Sequence, residues 1–194
     1  MWLLALVLAY LLGSLPTAYL VGRYVYGFDI RRRGSGNVGA TNALRTMGTI
    51  PGLVVLVIDV LKGVLAVWLG QVIGGPWLAA LTAMLAVLGH SWSVFLEFKG
   101  GRGVATVAGA MLAMAPPAVF WALLVWSVMV ILARYVSLGS IAAAAVAPFL
   151  MLYFHQPWPY TLFTFAAAAL IIYRHRPNIK RLLAGTEPKL GERG

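Results

Sequence analysis

The chain has 194 residues, of which 61% are hydrophobic and 10% are charged, and its formal net charge is +10 at pH 7. Soluble domains carry about 25% charged residues, so the composition excludes an ordinary soluble protein and predicts an all-α, polytopic integral membrane protein. Cysteine is absent, which excludes disulfides and thiolate catalysis. We expect one transmembrane domain over residues 1–194.

Long apolar stretches predict about seven transmembrane helices, some of them short. The first lacks the early basic residues of a secretory signal, so we expect it to be retained as a span. Pro116 and Pro117 divide a long apolar stretch, because two adjacent prolines do not fit inside one helix. Six spans, with 103–134 as one kinked helix, is the alternative. The predicted helices are 2–23, 50–70, 76–92, 103–115, 117–134, 138–154 and 158–174.

Seven spans bring every Lys and Arg outside the spans to one side of the membrane. By the positive-inside rule this side is cytoplasmic, so the N-terminus lies outside and the C-terminus inside. Six spans would move 135–137 and 175–194 to the other side, which favours seven. Topology and contact with anionic lipid heads account for most of the basic surplus, so nucleic acid is not needed as a partner.

The stretch "GSGNVGATNALRTMG" at 34–48 contains glycines at G-x-G-x-x-G spacing. A dinucleotide-binding fingerprint requires a strand before it, and membrane spans flank this stretch, so we reject that interpretation. Glycines still allow backbone N–H groups to turn toward an anion, and a short helix at 38–47 would add its N-terminus. A flexible loop of small residues is the alternative. The candidate binding residues are Ser35, Gly36, Asn37, Gly39, Thr41, Asn42 and Arg45.

Two charged residues, Asp59 and Lys62, lie three positions apart inside the second predicted span. Ionisable residues inside a membrane are functional candidates by default, but a buried structural pair is the interpretation we favour. His90 lies near the end of the third span, and we expect it to be a packing residue.

The stretch "FKGGRGVAT" at 98–106 combines glycines, two cations and the start of a helix. It lacks the G-K-[ST] of a Walker A loop, yet free N–H groups, a helix N-terminus and cations suit phosphate. A short recessed helix at 103–115 would aim its N-terminal dipole into the protein. An ordinary glycine turn with positive-inside anchors is the alternative. The candidate substrate-binding residues are Lys99, Gly100, Gly101, Arg102 and Gly103.

The stretch "RHRPNIKRLLAGTE" at 174–187 brings His175 and Asn178 to the mouth of the last span. Pro177 suits the first turn of a new helix, whose apolar stripe predicts that it lies on the membrane surface with Arg181 on its polar side. An anchor with an incidental histidine is the alternative. Ser137 and Ser140, after Arg134, are further candidate anion donors.

The second stretch extends toward the N-terminus as "GHSWSVFLEFKGGRGVAT". The chain resembles the bacterial acyl-phosphate-dependent glycerol-3-phosphate acyltransferases (PlsY type), which carry these three stretches in the same order, and the resemblance covers the whole chain. The resemblance implies an enzyme of the bacterial inner membrane with its active site on the cytoplasmic face. It implies acyl transfer from acyl phosphate to the sn-1 hydroxyl of glycerol 3-phosphate, giving lysophosphatidic acid and phosphate in the first step of phospholipid biosynthesis. We expect no metal or cofactor, membrane lipids as surroundings, and a monomer.

The resemblance also implies residue roles. Ser35 and Arg45 match the essential pair of the first stretch, and His175 and Asn178 match catalytic positions of the third. Gly100, Gly101 and Gly103 match the phosphate-binding glycines, and Glu187 matches a residue with a more structural role. Arg102 departs from the usual lysine and Ser93 from a common proline. We expect Arg102 still to bind phosphate through its planar fork, and Ser93 to affect only loop shape.

The expected mechanism is positioning plus electrostatics. The phosphate of glycerol 3-phosphate is assigned mainly to two arginines, with three polar side chains assisting: Arg45, Arg102, His175, Asn178 and Ser140. The acyl phosphate is assigned to the glycine loop at 100–103 and to amides at 36–39, which could also form an oxyanion hole. His175 is one candidate general base, and a substrate phosphate oxygen, which we favour, is the other. A transporter or flippase for a phosphorylated metabolite or lipid is the alternative function, but it requires a polar path to the far face.

Overall fold

The structure, a computed structural model, describes residues 1–191, which form nine α-helices and contain no β-strand. The all-α prediction is therefore confirmed. Short 3-10 turns lie at Ile30–Arg32 and Val94–Leu96. The helices are α1 Trp2–Ser14, α2 Thr17–Tyr24, α3 Ala40–Met47, α4 Thr49–Ser91, α5 Val104–Met114, α6 Pro116–Ala133, α7 Val136–Tyr153, α8 Trp158–Arg174 and α9 Arg176–Leu183.

The first predicted span is broken, so the prediction of one helix at 2–23 is wrong. Helices α1 and α2 meet at a bend of 43° around Leu15 and Pro16. Proline has no N–H and its ring clashes with the preceding turn, so the helix cannot continue through Pro16. The Leu15 carbonyl is instead satisfied by Lys62 Nζ at 2.6 Å.

Asp59 and Lys62 form the predicted buried pair, with 2.6 Å between Oδ1 and Nζ. Both are almost fully buried, at 1% and 2% exposure. Lys62 also donates to Thr17 Oγ1 at 2.8 Å, so all three ammonium protons have acceptors. The carboxylate and the ammonium group therefore neutralise each other, and their hydrogen bonds to Leu15 and Thr17 connect the break between α1 and α2 to α4.

Helix α4 consists of two arms, 49–73 and 76–91, separated by non-helical backbone at Gly74 and Gly75. Gly75 has φ +70°, a left-handed conformation that glycine adopts without steric cost. The arms run antiparallel, because His90 Nδ1 on the second lies 3.8 Å from Asp59 Oδ1 on the first. The predicted loop at 71–75 is thus a tight turn.

Helices α5 and α6 are separate, with only Ala115 between them, so the alternative of one kinked helix over 103–134 is wrong. Helix α5 has 11 residues and is as short as predicted. Within residues 1–191, α4, α6 and α7 are long and apolar enough to cross a membrane, and α1 with α2 would do so as one bent span. The number of spans and their direction stay predictions.

The main core lies among α4 to α8 and is built largely from small side chains and methionines, including Ala110, Ala118 and Met151. Small residues allow membrane helices to approach closely. The outer surface is apolar: Ile131 and Leu132 on α6 are 75% and 78% exposed. Such side chains suit contact with lipid rather than water.

Candidate active site

A cavity of about 470 Å³ lies between α3, both arms of α4, and α5 to α9. It has two chemically different parts. The polar end is lined by Ser35, Asn37, Gly39, Thr41, Asn42, Arg45, Asp59, His90, Arg102, Gly103, Ser137, Ser140, His175, Asn178, Arg181 and Glu187. The apolar arm is lined by Val107, Ala108, Met111, Leu112, Val119, Ala122, Leu123, Trp126, Ala143, Ala144 and Ala147.

The cavity unites residues from all three predicted stretches, but four predicted site residues lie outside its lining: Gly36, Lys99, Gly100 and Gly101. The Lys99 side chain is 76% exposed, and its Nζ lies 3.7 Å from Glu97. The Gly36 N–H donates to the Arg33 carbonyl. Neither Lys99 nor the Gly36 amide reaches the cavity in this geometry, and their substrate contacts stay predictions.

The Asn42 side chain holds the first glycine loop, residues 33–37, in place through hydrogen bonds to its backbone. Its Oδ1 accepts from the Ser35 N–H at 2.9 Å, and its Nδ2 donates to the carbonyls of Arg33 and Asn37. Only 1% of Asn42 is exposed, so its amide is used within the loop. Asn42 lines the cavity but holds Ser35 and Asn37 in place through these hydrogen bonds, and its contact with substrate stays a prediction.

In the second glycine loop, residues 99–103, backbone N–H groups that the sequence assigns to phosphate are also used within the protein. The N–H groups of Gly100 and Gly101 donate to the carbonyls of Ser91 and His90 at the end of α4. Their own carbonyls accept from Arg174 at 2.9–3.1 Å. A Cβ at Gly101 would overlap the His90 ring, so these glycines are required for close packing and do not offer amides to an anion.

Helix α5 begins directly after this loop, and Gly103, Val104 and Ala105 line the cavity. The first N–H groups of an α-helix have no partner inside the helix and carry its positive dipole end. The free N–H groups of this region therefore lie at the start of α5, the helix end that the sequence predicts to point into the protein, and not at Gly100 and Gly101.

Glu187 organises the side of the cavity formed by α7 and α9. Its Oε1 accepts from Ser137 Oγ at 2.7 Å and Asn178 Nδ2 at 2.6 Å, and its Oε2 accepts from Arg181 Nε at 2.7 Å. Burial opposes its ionisation and is the largest influence, but these hydrogen bonds and the Arg181 charge outweigh it and lower the Glu187 pKa. Arg181 therefore turns toward the cavity, not toward the water-facing side that the sequence predicts.

Glu187 accepts a hydrogen bond from the amide nitrogen of Asn178, and the amide oxygen of Asn178 has no partner among the described residues. Asn178 is 2% exposed, and its Oδ1 has no hydrogen-bond partner within residues 1–191. A buried carbonyl oxygen without a partner costs free energy unless a ligand supplies a donor. Since Asn178 lines the cavity, a ligand hydroxyl is a fitting donor.

His175 is 1% exposed and is fixed by a 2.8 Å hydrogen bond between Nδ1 and the Ile171 carbonyl. A carbonyl only accepts, so Nδ1 carries the proton and Nε2 is an acceptor. Burial is the main cause that lowers the His175 pKa to about 4, and the Arg102 charge adds to it. The imidazole is therefore neutral at pH 7.

Cations dominate the polar end. Burial and repulsion from Arg181, Arg45 and Arg174 lower the Arg102 pKa to about 10, although Glu187 opposes this shift. Arg45 donates through Nη2 to the Pro188 carbonyl at 3.1 Å, while its buried Nε has no partner among the described residues. The lining also holds two carboxylates, but Asp59 is neutralised by Lys62, so the guanidinium groups around Glu187 favour an anionic ligand.

Comparison with known proteins identifies the family. A family model described as glycerol-3-phosphate acyltransferase matches residues 3–185. The chain belongs to the glycerol-3-phosphate acyltransferase family. It is 78% identical to glycerol-3-phosphate acyltransferase 2 of Moorella thermoacetica over 193 residues, with 100% of both chains covered. A glycerol-3-phosphate acyltransferase of Synechococcus sp. (strain JA-3-3Ab) is 50% identical, covering 99% of this chain and 96% of that relative.

Two solved structures resemble this acyltransferase along nearly its whole length. Both are crystal structures of PlsY, an integral membrane glycerol 3-phosphate acyltransferase, and both are 40% identical to this chain. The glycerol 3-phosphate form has a TM-score of 0.94 and covers 98% of this chain and 96% of that chain. The lysophosphatidic acid form has a TM-score of 0.90, with 98% and 95% covered.

Ser137, one of the two predicted anion donors after Arg134, lines the cavity of the acyltransferase, but its hydroxyl donates to Glu187. Other cavity residues are not identified as site residues by the sequence. The apolar arm carries no sequence signal, since Met111 and Ala147 resemble any other membrane-core residue. Ser140 lines the cavity, but its hydroxyl donates to the Val136 carbonyl at 2.9 Å. No group of three His, Asp or Glu suited to a metal ion occurs in residues 1–191.

Proposed function

We propose that this acyltransferase transfers the acyl group of an acyl phosphate to the sn-1 hydroxyl of glycerol 3-phosphate, giving lysophosphatidic acid and phosphate. The observation that carries the proposal is the continuity of one cavity, whose cationic polar end leads into an apolar arm. An acyl phosphate has the same division, with a phosphate at one end and a hydrocarbon chain at the other. The glycerol 3-phosphate and lysophosphatidic acid forms of PlsY, at 40% identity, support the acceptor and the product.

The phosphate of glycerol 3-phosphate fits Arg45 and Arg102. Arg45 has a buried Nε without a partner, and Arg102 has no hydrogen bond or ion pair among the described residues. Guanidinium groups bind phosphate through paired N–H donors, and Ser35 at the same end can add a hydroxyl. The two arginines therefore select and anchor the acceptor.

The acceptor hydroxyls fit Asn178 Oδ1 and His175 Nε2, which are both acceptors. Contacts of this kind orient the attacking hydroxyl and lower the entropic part of the barrier. A base with a pKa of about 4 takes a proton poorly at pH 7, whereas a phosphate monoester has a second pKa near 6. The proton therefore passes to a substrate phosphate oxygen, and His175 acts as a positioning acceptor.

The phosphate of the donor fits the N-terminus of α5, where Gly103 and Val104 line the cavity. First-turn N–H groups and Arg102 would hold the donor and stabilise the oxyanion that forms when the carbonyl is attacked. The leaving phosphate is stable without protonation, so a strong general acid is not required. This assignment moves the donor from the amides of Gly100 and Gly101 to the helix that follows them.

The predicted alternative, a transporter or flippase, fits the cavity less well. Transport needs a polar path to the opposite face. The apolar arm leads instead into the buried core around Met114 and Met151. The family match and the apolar end of the cavity both favour acyl transfer.

The decisive experiment uses the purified protein in lipid vesicles with palmitoyl phosphate and labelled glycerol 3-phosphate. We expect labelled lysophosphatidic acid and released phosphate, and no product when palmitoyl-coenzyme A replaces the acyl phosphate. Product from the thioester alone would overturn the choice of donor. Failure of the folded protein to form lysophosphatidic acid with any acyl donor would overturn the proposal.

We further propose that the polar end opens to the cytoplasm of a bacterium. Since the chain has no cysteine, single cysteines give an unambiguous topology test. Lys99→Cys places the thiol on the proposed cytoplasmic side. His155→Cys places it just after α7, at the end of that helix far from the polar end of the cavity, which is the proposed outer side. In sealed right-side-out vesicles, an impermeant maleimide should label only the His155→Cys variant. Labelling of Lys99→Cys alone would reverse the orientation.

A further inference from the structure

Arg174 is the last residue of α8, and its side chain contacts the second glycine loop rather than the cavity. Its Nη2 donates to the Gly100 carbonyl at 2.9 Å and to the Gly101 carbonyl at 3.0 Å, and its Nε donates to the Gly101 carbonyl at 3.1 Å. A cation that only marks the end of a span needs no such partners. These hydrogen bonds therefore point to a task in the loop itself.

The guanidinium group of Arg174 is also stacked on an aromatic ring. Its Cζ lies 5.2 Å from the centre of the Trp92 ring, which is a cation–π distance. Trp92 follows α4, and its carbonyl accepts from the Tyr10 hydroxyl on α1 at 2.8 Å. A planar guanidinium group on a ring presents its N–H donors in a fixed fork, which an ammonium group does not. Arg174 thus has a defined position relative to the loop.

The loop is held on its opposite side by the end of α4. The N–H groups of Gly100 and Gly101 donate to the carbonyls of Ser91 and His90. In a planar trans peptide, the carbonyl and the N–H point in opposite directions. The peptide unit between Gly100 and Gly101 therefore turns its carbonyl toward Arg174 and its N–H toward α4.

The next peptide unit joins Gly101 to Arg102, and only its carbonyl has a partner. This carbonyl accepts two of the hydrogen bonds from Arg174, whereas the Arg102 N–H donates to no group within residues 1–191. The same planarity directs this N–H away from Arg174. Arg102 lines the cavity, and Gly103 after it is the N-cap of α5. The unpaired N–H therefore adjoins the free first-turn N–H groups of α5.

From these features, and resting on the proposed function, we infer that Arg174 is a positioning residue for acyl transfer. It fixes the plane of the peptide unit between Gly101 and Arg102, and through it the Arg102 N–H and the start of α5, for the phosphate of the acyl donor. Donors that are oriented before the reaction stabilise developing charge without reorganisation. Arg174 thereby acts on the donor without touching it.

The acceptor depends less on this peptide unit. Arg45 on α3 and Asn178 on α9 make their hydrogen bonds to the C-terminal segment at 187–188, outside the loop. The Arg102 side chain serves the acceptor as well, but a long side chain can follow its ligand when the backbone turns, whereas a backbone N–H cannot. Loss of Arg174 should therefore weaken the binding of the donor more than that of glycerol 3-phosphate.

The test measures both KM values with palmitoyl phosphate as the donor. Arg174→Met removes every N–H donor, and Arg174→Lys keeps the charge but loses the planar fork. We expect the KM for palmitoyl phosphate to rise at least tenfold in the first variant and at least fivefold in the second, while the KM for glycerol 3-phosphate stays within threefold. Arg176→Met is the matched control, because Arg176 is exposed and stacks on Tyr173 at 4.4 Å. It should change both KM values less than twofold.

A merely structural role would lower the folded fraction and the apparent kcat, and would leave both KM values unchanged. That result, or an equal rise in both KM values, would overturn the positioning role. Wild-type KM values in Arg174→Lys would overturn it too, because charge alone would then suffice. Should Arg174→Met fail to fold, Arg174→Lys decides by the same criteria. Should the wild-type protein form no lysophosphatidic acid from palmitoyl phosphate, the proposed function fails; should it do so and the two KM values not diverge in the variants, only the role of Arg174 fails.

Discussion

The polar end and the apolar arm of the cavity are held in place by different kinds of interaction. At the polar end, single atoms are fixed by hydrogen bonds, as when Glu187 binds both Ser137 and Asn178 through Oε1. The arm is shaped by apolar side chains such as Val119 and Ala147, which have no fixed polar partner. A substitution at the polar end should therefore change the rate for every substrate, whereas one in the arm should change the rate only for some chain lengths.

The largest effect is expected for Arg45→Ala. The loss of about 3 kcal/mol from two charged hydrogen bonds to phosphate would lower kcat/KM for glycerol 3-phosphate about a hundredfold at every acyl chain length. Steady-state kinetics with octanoyl and palmitoyl phosphate measure this. Arg32→Ala is the control, since Arg32 is exposed and outside the cavity. A loss confined to one chain length would contradict the division between the two parts.

Glu187→Gln should have the next largest effect. Whichever way the amide turns, its N–H₂ group meets a donor, either Arg181 or the pair Ser137 and Asn178, so about 2 kcal/mol is lost and kcat/KM falls about thirtyfold. The lowered pKa means that the carboxylate stabilises the fold above its unfolded pKa near 4.5, and that this stabilisation disappears as pH falls through the folded pKa. Thermal unfolding midpoints of wild type and variant should therefore differ by several degrees at pH 7 and converge in acid.

The exposed residue Glu97 supplies the control, because its side chain is 82% exposed and lies outside the cavity. Glu97→Gln should leave both the activity and the acid dependence of the unfolding midpoint unchanged. Equal midpoints for wild type and Glu187→Gln at pH 7 would show that Glu187 does not hold this side of the cavity together.

His175→Gln distinguishes a positioning acceptor from a general base. We expect kcat/KM to fall about fivefold, because one hydrogen bond of about 1 kcal/mol is lost. The pH profile should keep its decline below about pH 6, where the substrate phosphate becomes protonated. A fall in kcat of a hundredfold or more, with unchanged KM and an altered pH profile, would make His175 the base. His155→Gln, at the opposite end of α7, is the control.

The smallest effect at the polar end is expected for Arg102→Lys. The ammonium group loses the paired N–H donors of the guanidinium group but keeps a positive charge and one N–H donor beside the start of α5, so the KM values for both substrates should rise by no more than about fivefold. Measuring both KM values with a single acyl phosphate is sufficient. A change of a hundredfold would mean that the paired N–H donors of the guanidinium group, rather than its charge, hold the phosphate.

Helix positions are largely predictable from the sequence, because apolar length, Pro116 and the glycines around 75 act locally. The break at Pro16 could have been predicted by the same proline rule that separates α5 from α6. It is missed because hydropathy alone runs through it. The residues of the polar end are recognisable as clusters of glycines, cations and small polar side chains, and most of them do line one cavity.

What each residue does at the polar end is less predictable. Gly101 and Asn42 belong to stretches typical of anion binding, yet their polar groups are used by His90, Arg33 and neighbouring backbone. Hydrogen-bond partners depend on which chain segments meet, and this is not a property of a short stretch. The contact of Glu187 with Asn178 and Ser137 likewise requires the segment after α9 to fold back over the cavity.

By itself, the sequence determined that the chain is a helical membrane protein with a basic, glycine-rich face, because composition and charge are properties of residues alone. It also contained the stretches by which the family is recognised. The tertiary structure decided which N–H groups are free, that His175 is neutral, and that an apolar arm meets the polar end. Burial and hydrogen-bond competition arise only when helices pack, and a cavity is a space between segments far apart in the chain.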